Sequence, residues 1–345
     1  MAKYRPRAPT AGLPAIRNCS ASRRAGFSNG SSDWATGCPR RLATTDAARP
    51  RLNAVLSISS PLVRIVTSVG IDVLRRNNVK VVGNPAGRSM IFAHGFGCDQ
   101  NMWRFVAPAF EDRYQTVLFD YVGAGGSDSA AYDPARYSTL DGYARDVIDI
   151  CQALNVRDVV LVGHSVSAMI GVLAAAAAPD LFGALVLVGP SPRYTDDDDG
   201  YVGGFTDEDI EGLLGSLDSN YLGWSATMAP AIMGNPDRPA LGAELTTSFC
   251  RADPEIQKRF ARATFLSDNR TDLARVTAPT LVLQCSDDVL APDSVGRYVH
   301  EHLPGSQFVK LQATGHCPNL SAPQETIDAI TDFLGSELRT GPSWP

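Results

Sequence analysis

From residue 78 onward, short runs of consecutive apolar residues alternate with longer stretches in which apolar positions recur every three to four residues. The runs NVKVVGN (78–84), SMIFAHG (89–95), TVLFDY (116–121), DVVLVGH (158–164), ALVLVGP (184–190), TLVLQCS (280–286) and QFVKLQ (307–312) predict strands. The first reads as an edge strand with a turn. Most of the others are apolar almost throughout, which suits strands covered on both faces of a parallel sheet. Helical periods predict helices over 140–154, 170–178, 292–303 and 323–334. Strands alternating with helices in this way predict an α/β fold, a mostly parallel sheet with helices on both faces.

The alternation breaks between about 191 and 275, where four further helices are predicted over 207–217, 221–233, 240–250 and 253–266. The acidic starts Thr206-Asp207-Glu208-Asp209 and Asp253-Pro254-Glu255 mark two of their N-termini, because carboxylates favour the positive end of a helix dipole. A helical block inserted between two sheet strands predicts a lid over 191–275. The core then occupies 77–190 and 276–335, with a tail over 336–345. Ahead of the core, Leu62, Ile65, Val66, Val69 and Val73 recur with helical spacing after Pro61. Arg64 and Asp72 in the same segment favour an amphipathic helix or linker over 53–76, lying on the domain rather than in a membrane.

Residues 1–52 sustain no period and are rich in Pro, Gly, Ser, Arg and Ala, the composition of a disordered extension. A targeting segment and a misplaced start fit the same residues. They hold nine Arg and one Lys against Asp33 and Asp46, while the chain as a whole carries a net charge of −6. The remainder is therefore strongly acidic, which excludes a nucleic-acid surface and favours a small, neutral ligand. The seven cysteines are scattered without a C-x-x-C pair, so neither a disulfide framework nor a zinc site is indicated. That usage fits a reducing, cytoplasmic compartment. No apolar run reaches the roughly 18 residues of a membrane span.

The chemistry concentrates where strands end. The run 158–164 leads into Gly163-His164-Ser165-Val166-Ser167 and then directly into a small-residue helix, the G-x-S-x-small pattern of a nucleophile elbow. A serine hydroxyl is a poor nucleophile at neutral pH, so a histidine must take its proton and a carboxylate must orient that histidine. Asp287 and Asp288 follow the strand 280–286. Asp288 is preferred because it opens a D-x-x-x-P spacing whose Pro292 starts the next helix. His316 follows the last strand in QATGHCPNLSAP, giving the chain order Ser165, Asp288, His316. The turn HGFG (94–97) brings the Phe96 amide beside that of Val166, two donors for a developing oxyanion. His94 is assigned to holding that turn, Asp120 to fixing a loop, His164 to packing beside the elbow, and His300 and His302 to the surface. The H-E-x-x-H, P-loop and G-x-G-x-x-G patterns are absent, so no metal or cofactor is expected.

Together, HGFGCDQNMW, FDYVGAGGSD, GHSVSAMIG, GGF (203–205), APTLVLQCSDDVLAP and GHCPNLSAPQETI resemble one α/β-hydrolase subfamily over about residues 77–335. It contains the bacterial stress-signalling hydrolase RsbQ and the plant karrikin and strigolactone receptors. Serine in place of the elbow's last glycine is a trait of that group. The resemblance implies a Ser165–His316–Asp288 triad with oxyanion amides from Phe96 and Val166. It also implies a four-helix lid over an apolar pocket lined by Phe96, Tyr194, Phe205, Trp224 and Phe265. Tyr194 departs from the family's phenylalanine, and with the run Asp196–Asp199 it makes the rim more polar. The implied function is cofactor-free hydrolysis of a small hydrophobic ester or lactone. The alternative is a ligand-sensing signalling protein that engages a partner phosphatase at the lid.

Overall fold

Seven strands form one sheet in the order β1-β3-β2-β4-β5-β6-β7 in the computed structural model, which describes residues 68–340. They are β1 (Lys80–Gly83), β2 (Arg88–Ala93), β3 (Tyr114–Leu118), β4 (Val159–His164), β5 (Phe182–Val188), β6 (Thr280–Gln284) and β7 (Gln307–Lys310). Only β1 runs antiparallel, against β3; the other neighbours are parallel. Burial follows composition. The Val- and Leu-rich strands β4 and β6 are buried at every residue, whereas β1 is exposed at every residue and carries Lys80 on the open edge. The extension over 1–52 and the segment 53–67 lie outside the described residues.

One strand differs from its sequence pattern. The run 116–121 predicts a strand reaching Tyr121, but β3 ends at Leu118. Beyond it the Asp120 carboxylate accepts hydrogen bonds from the Gln100 amide (2.8 Å), the Gly126 amide (2.8 Å) and Asn78 Nδ2 (2.7 Å). Three loops are thereby tied to one buried carboxylate, and the chain leaves the ladder to reach them.

Helices α2 (Leu140–Ala153) and α3 (Val166–Ala177) pack against one another, and α8 (Asp293–His302) and α10 (Pro323–Thr340) pack against β6, with the one-turn α9 (Pro318–Ser321) leading into α10. The tail expected from 336 is thus the end of α10 as far as Thr340. The segment ahead of the core is helical as α1 (Ser68–Arg76), which packs on α2. A fully buried carboxylate holds it there. Asp146 of α2 takes Arg76 (3.0 Å), Arg136 (2.7 Å), Asn77 (3.1 Å) and both oxygens' worth of the Tyr137 hydroxyl (3.0 Å). These partners offset part of the cost of burying its charge, and burial still raises the carboxyl's pKa.

Four helices occupy the interval between β5 and β6: α4 (Asp207–Ser219), α5 (Tyr221–Met233), α6 (Pro239–Arg251) and α7 (Pro254–Phe265). Thr206 and Asp209 close a capping box at α4, and Asp253 accepts from the Glu255 and Ile256 amides at α7. Gly234 ends α5 in the left-handed region at φ 62°, as a C-terminal glycine does. Among the described residues, no helix is long and apolar enough to cross a membrane.

Under the sheet, Phe92 of β2 is fully buried with its ring 5.3 Å from Trp103 and 6.2 Å from Phe110. Truncating it leaves a cavity that three strands cannot close. Phe92→Ala should lower the free energy of unfolding by about 3–5 kcal/mol, read as a reduced midpoint at unchanged slope in urea denaturation.

Candidate active site

Ser165 stands between the end of β4 and the first residue of α3, with φ 57° and ψ −123°. The sequence pattern placed a helix start near 170, but the helix begins at Val166, so strand turns into helix without a connecting loop. That closeness needs small residues. A Cβ on Gly163 would lie 2.3 Å from the Ser167 carbonyl oxygen, so only glycine fits. The Ser165 amide donates to the Val188 carbonyl of β5 at 2.8 Å, fixing the turn to the sheet.

Three side chains from distant segments meet here. The Ser165 hydroxyl lies 2.7 Å from His316 Nε2, and His316 Nδ1 lies 2.7 Å from Asp288 Oδ2. With Nδ1–H donating to the carboxylate, Nε2 is left as the acceptor for the serine proton. The other Asp288 oxygen accepts the Leu290 and Ala291 amides at 2.9 and 3.1 Å, so backbone donors hold the carboxylate in place. Asp287 is exposed and turned away, contributing only its carbonyl to the Gly315 amide at 2.7 Å. All three members of the chain are buried.

Phe96 lines the same cavity as Ser165, and Val166 follows Ser165 in the chain. Val166 opens α3, and Phe96 sits in the turn Gly95–Cys98, where Gly97 at φ 69° supplies the left-handed residue. Neither amide donates to another protein group among the described residues, which leaves two N–H donors beside Ser165. The Phe96 ring is surrounded by Trp224 (6.1 Å), Phe249 (5.7 Å), Phe260 (5.7 Å) and Phe265 (6.2 Å).

The cavity over Ser165 is lined by Phe96, Tyr194, Trp224 and Phe265, but Phe205 is not among its walls. Phe205 is buried beside it, exchanging backbone bonds with the Tyr194–Asp196 segment. Sequence reasoning missed Leu245 and Phe249 of α6, Ile232 of α5, and Leu290 and Cys317, all of which line the cavity. Leu245 and Phe249 stand four residues apart, so the apolar stripe of α6 carried a signal for them. The enclosed space measures about 30 Å³, room for little more than a water molecule. Burial pushes the Tyr194 phenol up, partly offset by a hydrogen bond with Ser165. None of the run Asp196–Asp199 lines this cavity, and two of its acids have structural partners: Asp196 accepts the Gly204 amide at 2.9 Å, and Asp197 pairs with Arg270. Among the described residues, no cluster of His, Cys, Asp or Glu could hold a metal ion.

The profile of the alpha/beta hydrolase family matches residues 90–329 of this chain. "Strigolactone esterase D14" of Arabidopsis thaliana is 40% identical over 268 residues, 77% of this chain and 98% of that protein. "Karrikin insensitive 2 receptor CA" of Petunia hybrida is 40% identical over 263 residues, covering 76% and 97%. The solved structure of a hydrolase from Oleispira antarctica superposes with a TM-score of 0.75 at 40% identity, covering 77% of this chain and 97% of that one.

Beside the serine, His164 is fully enclosed and donates from Nε2 to the His316 carbonyl at 2.7 Å, while its Nδ1 has no partner. Burial, aided by the neighbouring His316, holds its pKa down at about 3, far below the ordinary 6.5. The folded protein therefore keeps this imidazole neutral where the unfolded chain protonates it. Stability from this group is complete above pH 6.5 and is lost as pH falls from there towards 3, at up to about 1.4 kcal/mol per pH unit. Between pH 7 and 5 the loss should reach roughly 2 kcal/mol. Chemical denaturation of His164→Asn at both pH values should show a flatter dependence than the wild type; an unchanged slope would assign the acid sensitivity to other groups.

Proposed function

The chain belongs to the α/β hydrolase family, and on that premise we propose that it is a serine hydrolase that cleaves a small hydrophobic ester or lactone at Ser165. The observation that carries this reading is the continuous hydrogen-bond chain from Ser165 through His316 to Asp288, with both links at 2.7 Å. In the proposed reaction the Ser165 oxygen attacks the substrate carbonyl as His316 Nε2 takes its proton. Asp288 stabilises the imidazolium and remains ionised. The carbonyl electron pair collects on oxygen, where the Phe96 and Val166 amides receive it. Collapse expels the alcohol, which takes the proton from His316 and leaves an acyl-serine. Water, deprotonated by the same imidazole, then releases the acid and restores the hydroxyl. For a lactone, leaving group and acid are one molecule.

The substrate class rests on the lining. Aromatic and aliphatic side chains dominate, no carboxylate, lysine or arginine enters, and Tyr194 adds a hydroxyl. A neutral, apolar ester suits such walls. A second reading is supported by the names of the relatives, one an esterase and the other a receptor. On that reading ligand turnover is slow and serves signalling through a partner protein docked on the α4–α7 insertion.

Incubating the folded protein with a fluorophosphonate should add one adduct by intact mass, mapped to Ser165. Ser165→Ala should abolish the adduct and lower kcat on p-nitrophenyl butyrate by about 10⁴-fold or more. Folded wild type that stays unlabelled would sink the serine mechanism. Restoration of a null strain's phenotype by Ser165→Ala would instead assign the biological role to binding without turnover.

A further inference from the structure

The elbow's Ser167 stands where a glycine is usual in the G-x-S-x-G pattern, and its hydroxyl is fully buried and engaged. It donates to the His94 carbonyl at 2.5 Å. With that proton committed, the Tyr121 hydroxyl is the donor in its 2.9 Å contact with the Ser167 oxygen. Tyr121 also gives its backbone N–H to His94 Nε2 at 3.1 Å. The imidazole proton must then sit on Nδ1, which donates to the Gly95 carbonyl at 2.9 Å. That carbonyl also takes the Cys98 amide at 3.2 Å, and the Gly95 amide meets Met102 Sδ at 3.3 Å. Every polar group of the two peptide units leading into Phe96 is thus held, apart from the Phe96 N–H.

Planarity makes this consequential. In a trans peptide the carbonyl and the following N–H point in opposite directions, so fixing the Gly95 carbonyl fixes where the Phe96 N–H points. The other flanking amide, Val166, belongs to the same helix as Ser167, one residue away. A single hydroxyl therefore joins the segment carrying one donor to the segment carrying the other.

We propose that Ser167, backed by the Tyr121 hydroxyl, is a positioning residue for the oxyanion hole: it sets the Phe96 amide against the Val166 amide. This rests on the serine-hydrolase reading above. Neither side chain hydrogen-bonds to Ser165, His316 or Asp288. Their removal should cost transition-state stabilisation while leaving ground-state binding intact.

The test uses Ser167→Ala, Ser167→Gly and Tyr121→Phe in the full chain, with Tyr121→Phe removing one oxygen only. Two inhibitors of equal chain length are compared, a trifluoromethyl ketone that forms a tetrahedral adduct and the planar amide that cannot. Turnover of p-nitrophenyl butyrate should fall about 10- to 100-fold in kcat, short of the 10²–10³ for deleting a donor outright. KM should stay within about twofold. Affinity for the trifluoromethyl ketone should weaken in step with kcat/KM, and affinity for the amide should hold. Retained kcat in all the folded variants would overturn the proposal. Equal weakening of both inhibitors would also overturn it, since that is what a merely structural residue produces. Fluorophosphonate labelling of the wild type, measured first, separates the two hypotheses: no adduct on Ser165 removes the hydrolase reading and this proposal with it, whereas a labelled wild type with unaffected variants removes this proposal alone.

Discussion

One backbone conformation organises the rest of the molecule. Ser165 is a non-glycine residue at φ 57° and ψ −123°, a sparsely populated region that costs on the order of 1–3 kcal/mol. Nothing local favours it. The surrounding packing imposes it: β4 is buried at every residue, its last turn is bonded to β5, and α3 begins on the very next position. The outcome is a hydroxyl lifted clear at the C-terminal edge of a parallel sheet, where the loops after β2, β6 and β7 also arrive. The imidazole and the carboxylate need only reach that point from their own strand ends. Relaxing the turn would withdraw the hydroxyl from both, which is why the core's rigidity is a condition of the site.

The electrostatics at that point follow the same logic of fixed donors. Asp288 is held by two backbone amides, and the histidine is held by its own backbone. His164, locked neutral by burial, braces the His316 carbonyl without adding a charge that would oppose protonation of the neighbouring imidazole. An ionisable group is used here as a permanent neutral donor. A lysine or arginine in that place would have altered the field at Ser165.

Much of this was legible in the sequence, and the reasons differ by element. The buried strands announced themselves because β-branched and leucine runs have one efficient use in a parallel sheet. Two of the insertion's helices, α4 and α7, were legible through acids at their first turns, and the boundaries of α5 matched because Asn220 and Gly234 are strong caps. The end of β3 was not, because Asp120's partners come from residues 78, 100 and 126, and no local pattern encodes them. The cavity walls were only partly legible for a similar reason. Phe205 and Phe249 are equally apolar in sequence, and which of them faces Ser165 depends on how α6 lies against the HGFG turn. There Gly97 comes so close to the Phe249 ring that a Cβ would overlap it at 2.3 Å. The bonds of Ser167 were invisible for another reason: a small residue was expected there for space, and space says nothing about a hydroxyl.

The insertion is also bound to the machinery below it. The His316 amide donates to the Ile232 carbonyl of α5 at 2.9 Å, and Asn235, just past that helix, donates to the Thr314 carbonyl at 3.1 Å. A Cβ on Gly315 would fall 1.9 Å from the Met233 carbonyl oxygen, so the two segments are in direct backbone contact. The end of α5 is therefore tied through the backbone to the residue that carries the imidazole. The cavity walls, by contrast, are also drawn from α6 and α7. Those two facts divide the insertion. The C-terminal end of α5 is bonded to the backbone of the histidine, whereas α6 and α7 contribute Phe249 and Phe265 to the cavity wall.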